Sequence, residues 1–338
     1  MLVSEGVYAL SIDTPGPLKT INCYLLTDGQ DSYLVDTNWP TAMSIDLFGH
    51  TSLNDSWSQL LELFDEAGVD PGKLRGIIVT HAHPDHMGHL PALQDLSGAP
   101  VLLHPREVEA HAVRSENGDS WRKAMGGWFR QHGAPDDIVV KMVNYIPKFQ
   151  IIPLGVIRPL MDGEVISVGS MRWEIVWTPG HSPGHICLFE RQRGLIITGD
   201  HVLPHDTPNV QALPFLPKNP LGSFIDSLRH VAGLKVRLAL PGHGDVMRDF
   251  QRVVANLISH HDVRFADVVD SLRSGPQNSF TVACAIPWVG RSKSFMQLNH
   301  RERWLATGET IAHLQALEGL GVVKPVSLKG VFGWNLVG

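Results

Sequence analysis

The densest chemistry in this sequence lies in Thr80-His81-Ala82-His83-Pro84-Asp85-His86, where three imidazoles and a carboxylate fall within six residues. Imidazole and carboxylate are ligands that zinc, iron and manganese accept. A His-x-His pair at a strand end lets His81 and His83 converge on one ion, and the turn that follows presents Asp85 and His86 to a second. In a core without ions, such a cluster would bury polar groups that have no partners. Three later fragments extend the set. His181 follows the strand-like EIVW in Thr-Pro-Gly-His-Ser-Pro-Gly-His, Asp200 follows LIIT, and His243 follows RLAL in Pro-Gly-His-Gly. Each ligand-type side chain sits just past an apolar run, where parallel strands deliver their ends to one edge of a sheet. Glycine and proline there let the backbone turn sharply beside an ion. The chemistry expected is that of two divalent metal ions activating a water, with zinc as the first expectation and iron or manganese as alternatives.

The elements that must position these residues follow α/β grammar. VYALSI, INCYLLT and SYLVDT read as strands, residues 52–67 as a helix stopped by Gly68, LRGIIVT as a buried strand, HLPALQDLSG as a short helix and APVLLHP as another strand. Residues 105–158 form a helical insert bearing Trp121, Trp128, Phe129, Tyr145 and Phe149. These rings either wall an apolar small-molecule pocket over the site or form the core of the insert itself. The sheet pattern resumes in VISVGSM, RWEIVWT, HICLFE and GLIITGD, followed by a helix over 221–233 and the strand in VRLALPGHGD. The two halves share a rhythm of strand and histidine-bearing loop, as a duplicated unit would. This gives one domain over 1–246 and a second over 247–338. The second contains a long helix ending near Ser274-Gly275-Pro276, another helix in ETIAHLQALEGLG, and a two-stranded ribbon from VVKPVS and KGVFGWNLV, which together make a winged-helix-like tail.

Composition narrows the function classes. The 338 residues are 43% hydrophobic and carry a net charge of −6, a poor balance for a dedicated nucleic-acid binder. No apolar stretch is long enough for a membrane helix, and MLVSEGVYALSID lacks the pattern of a signal peptide, so the expected compartment is the cytoplasm. Cys23, Cys187 and Cys284 stand far apart and read as buried small hydrophobes, not as disulfides. Among the remaining histidines, His185 and His201 read as structural neighbours of the motif, and His260-His261, His104 and His111 as partly solvated positions.

The four ligand fragments, in this order, resemble the metallo-β-lactamase superfamily over about residues 5–250. The resemblance implies a four-layer αββα sandwich with the site at one edge. It assigns His81, His83 and His181 to the first metal, Asp85, His86 and His243 to the second, and Asp200 as the bridge. Asp36 and Thr80 would support the ligands from behind. Asp200 sets the chain apart from β-lactamases with a cysteine ligand, and the tail around Glu309–Val322 is similar to the winged extension of β-lactamase-like hydrolases, some glyoxalase-like and others RNA nucleases. The chain departs from the family pattern at His89, where a small residue is more usual, and at Asn38, where glycine is common. Asp85 is expected to orient the attacking water and carry a proton. The substrate expected is a small acyl compound: a thioester, ester or lactone. RNA is the alternative, and it is disfavoured by a tail with ten Lys or Arg against seven Asp or Glu. A homodimer formed through the tail is compatible with either activity. No residues match those by which glyoxalase II holds glutathione, and a complete ligand set argues against a merely metal-binding protein.

Overall fold

The computed structural model describes residues 1–13, 20–39, 56–144 and 152–338. Strands β1 (Leu2–Ser4), β2 (Val7–Asp13), β3 (Thr20–Thr27), β4 (Ser32–Val35), β5 (Gly76–Ile78), β6 (Val101–Leu103) and β7 (Ile157–Pro159) form one sheet in sequence order. Its β1–β4 half is antiparallel, and β4 to β7 run parallel. A second sheet has the order β12-β11-β10-β9-β8, from β8 (Val165–Val168), β9 (Met171–Trp177), β10 (Ile186–Glu190), β11 (Leu195–Gly199) and β12 (Leu238–Pro241). Its β11–β12 pair is parallel and the other pairings are antiparallel. The helices of this region are α1 (Ser56–Glu66), α2 (Pro84–Met87), α3 (Leu90–Ser97), α4 (Pro105–Gln131), α5 (Asp136–Asn144) and α6 (Pro220–Ala232).

The strands read as almost continuous apolar runs because both faces of each sheet are covered. Successive side chains still separate by face. Ile78 and Leu102 join Trp173, Ile175, Leu188, Ile197 and Leu240 in the core between the sheets. Their neighbours Ile77, Val101 and Leu103 pack on the other side with Leu60 and Phe64 of α1 and Leu90 and Leu93 of α3. On the second sheet Cys187, Phe189, Ile196 and Ala239 face outward onto Leu221, Phe224 and Leu228 of α6. The layers are therefore helix, sheet, sheet, helix, the αββα sandwich expected.

The C-terminal region contains α7 (Phe250–Ser271), α8 (Ser279–Ala285) and α9 (His300–Gly319). It also holds a sheet of order β13-β15-β14, from β13 (Gln277–Asn278), β14 (Val323–Leu328) and β15 (Val331–Leu336). The ribbon β14–β15 was legible; α8 and the short β13 beside it were not. Helix α9 starts earlier than its apolar pattern because Asn299 and Glu302 form a reciprocal capping box. Phe250, Val254, Trp304, Ile311, Leu314 and Trp334 belong to the same apolar cluster as the outer face of the second sheet, so the two regions share one core.

Trp121 and Phe129 are buried in that shared core, and Trp128 packs on it while its Nε1 donates to Ala212 O at 3.3 Å. These rings belong to a core shared by the insert, the outer face of the second sheet and the tail. Tyr145 and Phe149 lie outside the described residues, as do 52–55 of the first expected helix. His261 is a correction to the solvated reading: it is buried, with Nδ1 3.3 Å from Nε2 of His313, because that face of α7 turns onto α9. Cys23 and Cys187 are buried and free as expected, whereas Cys284 is exposed. Among the described residues no helix is long and apolar enough to cross a membrane.

One junction of this shared core is sensitive to acid. His132 Nδ1 lies 2.8 Å from Ser279 Oγ, and burial pushes its imidazole down to about 4. A folded-state value below that of a free histidine means that the unfolded chain takes the proton first. The stability held by neutral His132 is complete above about pH 6.5 and is lost as pH falls from there toward 4. Across that window the contribution is about 3 kcal/mol. Denaturant unfolding at pH 7 and pH 4.5 should show a smaller pH loss for His132→Phe than for the parent. Equal losses would exclude this histidine as the sensitive group.

Candidate metal centre

The loops that leave β5, β9, β11 and β12 meet at one edge of the sandwich. Backbone bonds lock them together: Ile186 N donates to Thr80 O, Gly242 N to Gly199 O, and Asn22 N to Gly242 O. The first loop turns through α2, a single helical turn that begins at Pro84, so Asp85 and His86 project from a rigid start. The second loop turns at Gly180, whose φ is +140° and whose α-carbon lies so close to Phe224 that a β-carbon there would meet the Phe224 Cα at 2.4 Å.

All seven residues singled out in the sequence come together here. His81, His83, His181 and Asp200 form one group able to hold an ion, and Asp85, His86 and His243 another, with the ligand atoms of each group within 4.8 Å of one another. Nε2 of His81, Nδ1 of His83 and Nε2 of His181 make a triangle with edges of 2.8, 3.1 and 3.2 Å. Asp200 stands between the groups. Its Oδ2 lies 4.0 Å from His81 Nε2 and 3.8 Å from His181 Nε2, and its Oδ1 lies 3.4 Å from His86 Nε2 and 3.6 Å from His243 Nε2. Asp85 Oδ2 is 3.2 Å from His243 Nε2.

The nitrogens that face away from the centre have partners that fix their tautomers. His181 Nδ1 donates to Asn209 O at 3.0 Å, and His243 Nδ1 to Thr20 O at 2.7 Å. Asp36 Oδ2 accepts from His86 Nδ1 and from Thr80 Oγ1, both at 2.8 Å, and its Oδ1 accepts from Thr80 N. With its proton given to Asp36, the Thr80 hydroxyl is left to accept from His81 Nδ1 at 3.1 Å. Asp36 thus orients a histidine of each group, one directly and one through Thr80. It sits at φ +60° just past β4, and Asn38 at φ +70°, both in the left-handed region that asparagine and aspartate tolerate. That conformation explains why position 38 suits a glycine in the family pattern.

The electrostatics divide along the same line. Burial and the neighbouring imidazoles hold His81 and His83 well below the usual histidine range, and burial lowers His181. Their lone pairs are therefore free. Burial lowers His86 too, but Asp36, Asp200 and Asp85 outweigh it and raise it well above that range. Asp85, raised by burial and lowered more by His86 and His243, ends at about 2. Asp200 follows the same pattern, with His243 and His86 holding it well below the carboxylate range. Three imidazole nitrogens aimed at one point, with buried Nε2 of His86, Nε2 of His243 and Oδ1 of Asp200 lacking aligned hydrogen bonds, fit cations at the centre of each group.

Other expected positions fall outside these groups. His185 is structural: Nδ1 is 2.8 Å from Thr178 Oγ1, and Nε2 accepts from Asp200 N at 3.1 Å. His201 is buried against Phe224. His89 braces α1 through Ser56 Oγ at 3.0 Å, and His104 caps α4 and stacks on Trp177.

Glu107 went unread in the sequence. It is fully buried near the start of α4; Oε2 accepts from Ala82 N at 2.8 Å and Oε1 from Gly184 N at 2.6 Å. It therefore clamps the His81–His83 loop to the loop that follows His181. A lone glutamate in a polar helix carries no sequence signal of this role. Glu107→Gln turns an amide donor toward one of these N–H groups. It should lower metal affinity and kcat/KM together by about tenfold, as measured by chelator competition and initial rates. Unchanged affinity would exclude the clamp.

The Metallo-beta-lactamase superfamily profile matches residues 16–243. Over 268 residues, 79% of this chain, the sequence is 25% identical to a protein of Aspergillus fumigatus named Atrochrysone carboxyl ACP thioesterase, of whose length it spans 64%. Over 328 residues it is 24% identical to "Probable metallo-hydrolase YqjP" of Bacillus subtilis, covering 94% of this chain and 93% of that protein. The crystal structure of a metallo-beta-lactamase family protein from Thermus thermophilus superposes with a TM-score of 0.78 at 28% identity, covering 99% of this chain and 100% of that one. A profile that takes in every candidate ligand loop, on a sandwich of the matching architecture, settles the family: the chain belongs to the Metallo-beta-lactamase superfamily.

Proposed function

We propose that the chain is a binuclear metal-dependent hydrolase of a small acyl compound, with a thioester first, then an ester or lactone. One observation carries the reading: Asp200 directs one carboxylate oxygen toward each group of histidines. His81, His83 and His181 would hold one ion and Asp85, His86 and His243 the other, with Asp200 between them and zinc preferred over iron or manganese. Bound there, the ions would supply a nucleophilic water at neutral pH and charge for a developing oxyanion. Asp85, ionised at about 2, accepts a hydrogen bond from the attacking water and so orients it. With ions bound, the hydrogen bonds to Asp36 and Thr80 would hold the protons of His81 and His86 on their outward nitrogens and leave the inward ones as ligands. A cysteine nucleophile is disfavoured, since burial pushes the Cys187 thiol up to about 12 and raises Cys23 well above its usual range. The relative named as an acyl-carrier thioesterase supports the choice of acyl substrate.

The tail reads as winged-helix-like, and an RNA substrate is the second reading. Half of the tail's ten cations are already paired with acids within it: Arg252, Arg264, Arg273, Arg291 and Lys293. A phosphate backbone needs several free, converging cations. A cytoplasmic location and a homodimer formed through the tail complete the proposal. The test is thiol release from an acyl-thioester panel by zinc-, manganese- and iron-loaded protein, with Asp200→Ala as the blank and a phosphodiester as the parallel substrate. Turnover of thioesters well above the blank is expected. Phosphodiester cleavage with silent thioesters would overturn the acyl reading.

A further inference from the structure

Glu107, His111 and Arg114 are spaced four and three residues apart on α4 and share one face of the helix. The clamp of Glu107 on Ala82 N and Gly184 N lays that face over the two ligand loops. Arg114 Nη1 then reaches Ala82 O, between His81 and His83, at 3.3 Å. The guanidinium is enclosed enough for burial to lower its own pKa, yet it forms no ion pair with a described carboxylate. Glu107 is the acid whose charge reaches it, and both oxygens of Glu107 are committed to backbone N–H groups.

A half-buried cation that forms no ion pair with a described carboxylate, and whose acidic neighbour Glu107 is already committed to backbone N–H groups, is costly unless a ligand supplies a further anion. A guanidinium has five N–H donors in a planar fork that matches a carboxylate. One donor is used on Ala82 O. We propose that Arg114 is a specificity residue that receives a carboxylate carried on the acyl part of the substrate. The inference rests on the acyl-hydrolase reading above. Anchored on Ala82 O, between His81 and His83, the guanidinium lies next to the candidate metal centre, so the anion it would receive belongs to the acyl group and not to the far end of a carrier arm.

Succinate and butyrate, which differ by one terminal carboxylate, are the probes. Calorimetry on the metal-loaded full chain should show succinate binding at least about tenfold tighter, the worth of a hydrogen bond to a charged group. The same preference should appear in KM for succinyl over butyryl thioesters. Arg114→Met should bring both ratios close to one, and Arg114→Lys should retain part of them. A parent ratio near one, or a ratio that survives in Arg114→Met while all rates fall together, overturns the proposal, since a loop-bracing arginine would act on both probes alike. If Arg114→Met does not fold, Arg114→Lys decides, with an unchanged ratio overturning the assignment. Silent thioesters with the expected succinate preference would sink the acyl reading and leave the carboxylate site standing. Active thioesters with an unchanged ratio would sink Arg114 alone.

Discussion

Asp200→Ala should lose bound metal and turnover together while the sandwich stays folded. Asp200 is the residue whose two oxygens face different groups, Oδ2 toward His81 and His181 and Oδ1 toward His86 and His243. Removing it takes negative charge from both groups at once and leaves five imidazoles to share the remaining Asp85. Loss of metal assistance is worth several kcal/mol of transition-state stabilisation, so the expected fall in kcat/KM is roughly a thousandfold or more. His83→Ala removes a ligand from one group and leaves the other complete, so it should cost about one equivalent of metal where Asp200→Ala weakens both. Plasma mass spectrometry of dialysed protein gives the metal content, and circular dichroism reports the fold. Full metal content and full turnover in either variant would remove that residue from the centre.

The second large effect is expected at Asp36. Asp36→Asn preserves size and the left-handed backbone at φ +60°, which asparagine also adopts. It replaces one oxygen by an amide donor. If the amide nitrogen takes the place of Oδ2, it faces His86 Nδ1 and Thr80 Oγ1, both donors to Asp36 at 2.8 Å in the parent. His86 can then pair only by shifting its proton to Nε2, the nitrogen that faces Asp200 and Asp85. A ring so protonated cannot bind a metal. If the amide nitrogen instead takes the place of Oδ1, it meets Thr80 N, another donor. Either rotamer disturbs the network, and metal affinity should fall by about 10- to 100-fold. The effect should be concentrated in the group that holds His86, so titration should show one weakened site and one near its parent affinity. Chelator competition on Asp36→Asn measures this directly. Two sites of unaltered affinity would mean that the carboxylate does not set the tautomer.

Much of the centre was legible because its parts are local. A candidate ligand at the end of a strand comes with an apolar run before it and Gly or Pro beside it, as at His181, Asp200 and His243. The four layers were legible for a similar reason: a buried strand must alternate faces even when it is apolar throughout, as Ile77 and Ile78 do. The insert's aromatics were harder. Pattern alone marks Trp121 and Phe129 as core formers but does not say whose core they form, and that core is shared by the insert, α6, the outer face of the second sheet and the tail. His261 was misread because the partner that buries it, His313, lies on a different helix.

Residue type and spacing marked the candidate ligands, the order in which the strands deliver them, and the layered sandwich that brings their loops to one edge. What holds those side chains in register comes from contacts between distant segments. The tautomers of His181 and His243 depend on Asn209 O and Thr20 O, main-chain acceptors that every residue carries and no motif marks. Glu107 and Arg114 gain their roles because α4 lies across two loops separated from each other by about a hundred residues. Local chemistry leaves a signature in residue type and spacing, whereas a hydrogen bond between distant segments exists only once the core has placed them side by side.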